Sequence, residues 1–426
     1  AFLNTINLIA LTVISRNYFK NPWEDFTEKG SISFGQTVRE LAVDIADVND
    51  YNYYCNNATH FLSTVVPNVY NYLHELNFQK FYKTTTSDEQ LAMAFTSEAG
   101  LMDLVEEIVN SLYRGYEYDK FLVNKYMLAR RIIDGTITPV EIDGYGSLTP
   151  RQRVAAIKKL SNKMSFMSPN YNPAGLRRAT AFEDQFLIVD ADTEAEYTTE
   201  VLSTSYFRND AEYRTQLALV DDWTEWDSAR LSEVLGSAYT AFTDTEIGYL
   251  GNVAGVIIAR DFFKNYTYAL DNAAESDNTR VTMFYNPETL KANHWLHAWK
   301  IFSTSPFEQA AVFTKDVTPA VSAVVVSPET ATVSAGNTLQ LSAAVTAVGF
   351  ANKAVTWEVT TAAGQQTGHP VTVSLDGLVS IPLDYVGSTT SGGDTTYNDI
   401  VITAKSVFDS TKTDTATIRV VNAPSP

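Results

Sequence analysis

The 426 residues carry 31 Lys+Arg against 50 Asp+Glu, a formal net charge of −19. That balance argues against broad, sequence-independent nucleic-acid binding, which needs a positive face to displace counterions, and favours solubility and mutual repulsion between copies. The single cysteine, Cys55, excludes an intrachain disulfide framework and suits a reducing compartment, and no apolar run is long enough for a transmembrane helix.

Leu3–Ile14 is apolar but interrupted by Asn4, Asn7 and Thr12, and it lacks a basic leader. It reads as a packed segment rather than a signal peptide. From Asn21 to Lys83 the chain makes an excursion. Gly30–Gly35 opens a strand that continues through Val38, Leu41, Val43 and Ile45, Asp47–Asn57 is a polar loop, and Val65–Phe81 returns in extended form. A long two-stranded arm buries too little to stand alone, so it must lie on something, and a neighbouring subunit is the natural candidate.

Ser87–Asp134 reads as helix. Leu101, Leu104, Val105, Ile108 and Leu112 form its apolar stripe, which Phe121, Leu122, Met127, Leu128 and Ile132 continue after a break point at Gly115. Asp134-Gly135 ends it. A second helix is signalled over Thr149–Met164 by Thr149 as N-cap and Pro150 at the first helical position, with Val154, Ile157, Leu160 and Met164 inward. Its remaining faces carry Arg151, Arg153, Lys158, Lys159 and Lys163 without one acid. Contact with nucleic acid is one reading of that charge; docking against acidic neighbours of an acidic chain is the simpler one.

Asp190–Gly255 mixes strands and helices, preceded by a buried strand at Phe186–Val189, and Thr279–Lys315 returns as aromatic strands or helices. Asp316–Pro319 reads as a hinge into an all-β tail. In the tail Leu339, Leu341, Ala343 and Val345 alternate with Gln340, Ser342 and Ala344. Val355/Trp357/Val359, Ile400/Ile402/Ala404 and Ala416/Ile418/Val420 repeat the period of two that marks a half-buried strand. Turn residues at Pro328, Gly336-Asn337, Asp376-Gly377 and Gly392-Gly393 separate about seven short strands, as in an immunoglobulin-like sandwich, with Trp357 as its core tryptophan. Residues 321–422 resemble the bacterial Ig-like group 2 family in their VxVSP opening, GNTLQL and VTW strands, DGLVS hairpin and ITAKS strand.

Catalytic motifs are few. FLIVDADT places Asp190 and Asp192 after an apolar strand, which looks like the nucleophile motif of haloacid-dehalogenase-type phosphatases, and Asp221-Asp222 resembles the later metal-binding pair. About 30 residues between them is one βαβ unit, too little for the intervening catalytic strand, lysine and crossover helices. His294 and His297 lie three apart, close enough to share a helix face and a metal, but they stand in NHWLHAW with no nearby Asp, Glu or Cys, and read as structural. No catalytic, cofactor-binding or metal-ligating residue is assigned, and no cofactor is expected.

Four further segments, NPWEDFTEKGSISFGQTVRE (21–40), VPNVYNYLHELNFQKFY (66–82), FEDQFLIVDADTEAE (182–196) and HAWKIFSTSPFEQAAVF (297–313), followed directly by the tail, occur in an order that resembles the major capsid proteins of small short-tailed bacteriophages of Gram-positive hosts. The resemblance implies an α+β tailed-phage capsid fold plus the C-terminal Ig-like sandwich. It implies the end of an N-terminal arm at 1–20, continuing one that lies ahead of Ala1 in family members, and an extended loop at 21–83. A peripheral domain with its spine helix would follow at 84–135, an axial domain at 136–255, the peripheral return at 256–318 and the Ig-like domain at 319–426. The function implied is a self-assembling icosahedral head around double-stranded DNA, made in the host bacterial cytoplasm and part of the virion, with the Ig-like domain outside. Partners would be other copies in pentamers and hexamers, a scaffolding protein, a portal, enclosed DNA by weak non-specific contact, and the host surface through the Ig-like domain, with no membrane. A secreted Ig-like adhesin or carbohydrate-binding protein is the alternative, and a phosphatase through Asp190 and Asp192 the remote one.

Overall fold

The structure, a computed structural model, describes residues 19–33, 35–46, 69–87, 98–201, 216–269, 280–366, 369–374, 376–391 and 394–421, excepting the side chains of 98–105, 197–201, 389–391 and 394–395. Leu3–Ile14, Asp47–Asn57 with Cys55, Val65–Asn68, Gly392-Gly393 and the side chains of Leu101, Leu104 and Val105 lie outside the described residues. Ahead of the tail the elements run α1 (Glu24–Thr27), β1 (Glu28–Ser33), β2 (Val38–Val43), β3 (Val69–His74), β4 (Phe78–Ser87), α2 (Glu98–Ile133) and β5 (Thr138–Ile142). They continue as α3 (Pro150–Met164), β6 (Gln185–Asp190), α4 (Ala191–Val201), β7 (Leu217–Val220), α5 (Ser228–Leu235), α6 (Asp244–Leu250), β8 (Val253–Ala259), β9 (Asn265–Ala269), β10 (Arg280–Asn286), β11 (Lys291–Ile301) and β12 (Ala310–Lys315). The chain divides into two units, one of Ala1–Ala129, Lys158–Thr243 and Ile257–Ala310, the other of Arg130–Ile157, Asp244–Val256 and Ala311–Pro426.

The first unit is built on β11. Antiparallel β4 and β10 pair with it, β9 pairs with its C-terminal end, and β1 lies parallel to β9. Alternate β11 residues, Leu296 and Ala298, join Phe78 of β4 and Phe302 in a core closed by Leu112, Tyr116 and Val123 of α2 and Val234 of α5. A second aromatic nucleus gathers Trp23 and Phe26 at α1 with Phe121, Phe186 and Phe263, and the Trp23 indole N–H donates to the Leu219 carbonyl (2.9 Å). β6 and β7 run parallel in this unit.

Three expectations change here and an open alternative is resolved. The single strand over Gly30–Ile45 is two strands, because the chain turns at Gly35 and β1 pairs with β9 while β2 pairs only with β3. Ser87 closes β4 and is not helical. The helix α2 runs unbroken through Gly115, beside which the Arg230 guanidinium and the Tyr82 ring pack, so the glycine does not break the helix. The aromatic run Thr279–Lys315 is strands throughout its regular parts.

α3 forms where expected. The Thr149 N–H and hydroxyl both donate to the Gln152 side chain (2.9 and 3.0 Å), one half of a capping box, and the Gln152 and Arg153 amides bond back to the Thr149 carbonyl. Val154, Ile157, Leu160 and Met164 are buried.

In the second unit, α2 ends in a Schellman turn: Gly135, at φ +67°, bonds to the Ile132 carbonyl and Thr136 to that of Arg131. β5 and β12 pair in parallel. The joint at 316–319 is fastened rather than free. The Asp316 carboxylate accepts from the Tyr145 amide (3.0 Å), and the Thr318 hydroxyl donates to Glu141 (3.0 Å).

The tail consists of β13 (Ala320–Ser327), β14 (Thr330–Ser334), β15 (Thr338–Gln340), β16 (Ser342–Val348), β17 (Val355–Ala362), β18 (Thr372–Val373), β19 (Leu378–Ser380), β20 (Ser388–Ser391), β21 (Asp394–Tyr397), β22 (Ile400–Ser406) and β23 (Thr413–Val421), more and shorter strands than the alternation alone suggests. A four-stranded sheet, β14-β23-β22-β17, shares one core with β13-β16 and β15-β19-β18. The expected alternating residues supply that core: Leu341, Ile400, Ile402, Ala404, Ala416, Ile418 and Val420 are buried, with Trp357 packed against them. Gly377, at φ +82°, is required there, since a Cβ would stand 2.5 Å from the Leu341 carbonyl oxygen and 3.0 Å from the Trp357 ring.

Candidate functional site

The two-stranded ribbon β2–β3 is the part of the first unit with the largest contrast between its faces. In its register Val38 faces His74, Glu40 faces Tyr72 and Ala42 faces Tyr70, and these residues point one way. Because side chains alternate along a strand, Leu41, Val43, Val69 and Leu73 point the other way. The inward side lies on the subunit's own body. Ala42 packs with Leu176 and Phe307, and Tyr72 lies against them. The neighbouring subunit expected from the sequence is therefore not what the inner face rests on.

Under the ribbon sits a buried polar network. His74 Nε2 donates to Glu40 Oε2 (3.1 Å), and His74 Nδ1 meets the Ser303 hydroxyl at 2.7 Å. Glu40 also accepts from the Ser305 hydroxyl (2.8 Å) and pairs with Lys264 (3.4 Å). Burial opposes the charge on Glu40, but the His74 hydrogen bond, the Lys264 ammonium and Ser305 together hold its carboxyl below the ordinary carboxylate value. Beside it Glu308, paired with Arg178 at 3.8 Å, is pushed up by burial. Every polar atom named has a partner, so at Glu40 the hydrogen bonds and the Lys264 charge outweigh the desolvation that burial imposes, and the network ties the ribbon to the body. It joins Glu40 and His74 to residues more than 200 positions away, and of its members only His74 stands out in the sequence, as half of a zinc-protease motif that lacks its second histidine. The one available signal was parity: Glu40 and His74 occupy inward positions of strands whose outward positions are mostly apolar, Leu41, Val43, Val69 and Leu73 against Arg39 and Asn71.

The outward side exposes four apolar side chains, with Leu41 59 % and Leu73 42 % exposed, alongside Arg39 and Asn71. A second uncovered surface is β10, an edge strand of the five-stranded sheet with Met283, Phe284 and Tyr285 exposed. Exposed edges and apolar patches of this kind mark association surfaces.

The long helix behind them is anchored by ions. Asp119 accepts two hydrogen bonds from Arg230 (2.8 and 2.9 Å) and one from Tyr82 (2.6 Å). Burial raises the Asp119 carboxyl above its usual range against those bonds, and raises the Tyr82 phenol with the help of the Asp119 charge. Lys125, fully buried, reaches Asp221 (2.6 Å), and buried Lys300 pairs with Glu28. These pairs tie α2 to α5, to β4 and to the segment after β7, and β11 to β1.

The residues that suggested chemistry are structural. Asp190 Oδ1 accepts from the Thr193 amide (2.8 Å) and so caps α4, with Asp192 exposed in the first turn. Asp221 follows β7, whose Val220 pairs with Asp190, so the two acids share one sheet end; but Asp221 is held by Lys125. His294 and His297 lie on a strand and not on a helix, so they point to opposite faces and cannot share a metal. His294 contacts Thr86 (3.3 Å), and burial lowers its pKa, while His297 stacks against Phe81. Among the described residues no group of three or more His, Cys, Asp or Glu could hold a metal ion, and no helix is long and apolar enough to cross a membrane.

Known proteins with the same architecture are phage capsid proteins. The chain is 30 % identical over 383 residues to the major capsid protein of Bacillus phage PZA, covering 88 % of this chain and 76 % of that one. It is 26 % identical over 352 residues to that of Bacillus phage GA-1, covering 81 % and 67 %. Its fold is shared, at 12 % identity, with a chain of the capsid structure of Staphylococcus phage Andhra (TM-score 0.56; 74 % of this chain, 90 % of that one). It is also shared, at 12 % identity, with a chain of the structure of the head fibre and inner core protein of native bacteriophage P68 (TM-score 0.55; 74 % and 90 %). These relatives are structural proteins rather than enzymes. Residues 2–314 match the Phi29-like phage major capsid protein family, and with that match the chain belongs to this family of structural subunits of the virion capsid.

Proposed function

We propose that the chain builds the wall of an icosahedral head around double-stranded DNA, without catalysis, as pentameric and hexameric capsomers. The observation that carries this reading is the two-sided ribbon: one face is latched to its own subunit by Glu40 and His74, and the other offers Leu41, Val43, Val69 and Leu73 to something else. A closed shell needs contacts between unlike surfaces of identical copies, and an exposed, largely apolar ribbon face supplies one half of such a contact. In this reading 21–83 is the extended loop. Residues 84–135 and 256–318 form the peripheral domain on the spine helix, and 136–255 the axial domain. The tail from 319 is an Ig-like sandwich, supported by its shared core around Trp357, and is displayed on the outer surface. Scaffolding protein, portal and weak contact with DNA complete the partners.

The test is electron microscopy of shells from wild type and from Leu41→Glu/Val43→Glu. The double variant is expected to remain soluble and folded but to stop at capsomers. Full heads at wild-type yield would refute the assignment of this face.

A further inference from the structure

The basic helix α3 has no place yet in the assembly. In the first unit its outward positions are Lys159, Asn162 and Lys163, all exposed, while Leu160, Ser161 and Met164 are buried. The two lysines stand one turn apart, about 6 Å along the axis. No acidic residue lies anywhere on the helix to offset them.

At the end of the helix the chain places two large apolar side chains beside this charge. Phe166 is 73 % exposed, the most exposed large apolar residue among those described, and Met167 is 65 % exposed. They are not on a loose loop. The Phe166 amide bonds to the Lys163 carbonyl (3.1 Å), Thr180 bonds back to Met164 (2.9 Å), and Ser168 and Arg178 exchange two backbone hydrogen bonds (2.9 and 3.2 Å). The turn is further pinned by the Gln185 side chain, which donates to the Ser161 and Thr180 carbonyls. A rigid turn that holds Phe and Met in water beside unopposed lysines is costly unless something covers them.

We propose that Lys159, Lys163, Phe166 and Met167 form a docking site for an acidic amphipathic helix of a separate polypeptide, engaged reversibly. Charge complementarity supplies the sign of the partner: carboxylates along one side of a helix meet the two lysines, and its apolar residues cover Phe166 and Met167. A nucleic-acid backbone would match the lysines and leave the two apolar side chains in water. A permanent contact between copies fits the composition less well, since lysine is depleted in the centre of lasting interfaces, whereas methionine suits surfaces that repack around a transient partner.

The test uses the full unassembled chain, so its outcome is separate from whether shells form. A fluorescently labelled peptide of about 20 residues, with Leu at helical spacing and Glu elsewhere, is titrated by anisotropy, beside a scrambled peptide of the same composition and a short DNA duplex. The amphipathic peptide is expected to bind, the scrambled one not to. Lys159→Glu/Lys163→Glu and, independently, Phe166→Ser/Met167→Ser are each expected to weaken binding about tenfold or more. Raising the salt from about 50 to about 300 mM weakens the wild type and leaves the lysine variant little changed. No binding of the amphipathic peptide overturns the proposal. So does binding that ignores the Phe166/Met167 change. DNA that displaces the peptide through the lysines alone makes the site a DNA contact. A change of capsomer size in either variant, read by light scattering, makes it a contact between copies.

Discussion

Glu40→Ala removes the centre of the latch under the ribbon. It takes away the acceptor for His74, for the Ser305 hydroxyl and for Lys264, while leaving those three groups where water reaches poorly. Breaking a buried pair by deleting one partner costs about 3–5 kcal/mol. The ribbon makes its remaining own-subunit contacts through Ala42, Tyr72 and Tyr70 against Leu176 and Phe307, so the loss falls on local seating and not on the whole fold. At about 1.4 kcal/mol per decade, amides of 38–43 and 69–74 should exchange with deuterium about 10²–10⁴ times faster, while those of β9 and β11 keep their protection. Glu40→Gln keeps shape and one acceptor and should sit between wild type and Ala. The native Glu40 pKa is depressed, so the carboxylate's contribution is complete above the unfolded value and is lost as the pH falls through the folded one, below 4.5. Acidification should therefore loosen the same amides in wild type and add little in the Ala variant. Unchanged exchange in the ribbon, or an equal rise throughout the unit, would refute the latch.

Arg230→Ala should cost about 3 kcal/mol, the low end for a broken buried pair because the guanidinium is partly exposed, as read from urea midpoints. The folded Asp119 pKa is already raised, so its penalty is absent below the unfolded value and grows as the pH rises through the folded one; the variant's deficit should shrink on acidification, and a pH-independent deficit would sink the account. Gly135→Val puts a Cβ 2.5 Å from the Ala351 backbone at a left-handed position, for a cost of about 2 kcal/mol or more, and should speed proteolytic cutting near 316–320. Cutting at the wild-type rate would show that the tail is not held there. Asp190→Ala should lose about 1 kcal/mol as a lost helix cap and leave release of phosphate from a generic ester indistinguishable from wild type.

What was legible in the sequence was local. Thr149 and Pro150 announce α3, and the tail's period of two named core positions such as Leu341, Ile400, Ile402 and Ile418, with Trp357 packed against them. The family resemblance, carried by segments in order, pointed to the capsid function. The rest depends on contacts that no window contains. One turn at Gly35 sends the chain from a strand paired with β9 to one paired with β3, and both halves look equally strand-like. Gly115 reads as a helix breaker until Tyr82 and Arg230 arrive beside it. In NHWLHAW apolar and polar residues follow neither period cleanly, so the spacing of His294 and His297 suggested a shared face that a strand denies them. The latch joins Glu40 and His74 to Ser303 and Ser305, and hydrogen-bonded groups so far apart leave no mark on composition or spacing.

The fastened joint at 316–319 has a consequence for the assembled particle. Asp316 on the Tyr145 amide, Thr318 on Glu141 and Ala351 against Gly135 fix the tail to the segment that precedes it, so the tail has no freedom to swivel on that segment. With the tail on the outer surface of an icosahedral shell, as proposed above, symmetric copies would carry their tails at one pitch and one orientation, as a lattice rather than a brush. On such a lattice an affinity too feeble to detect in a single domain becomes avidity, gained only by surfaces whose own repeat matches the spacing.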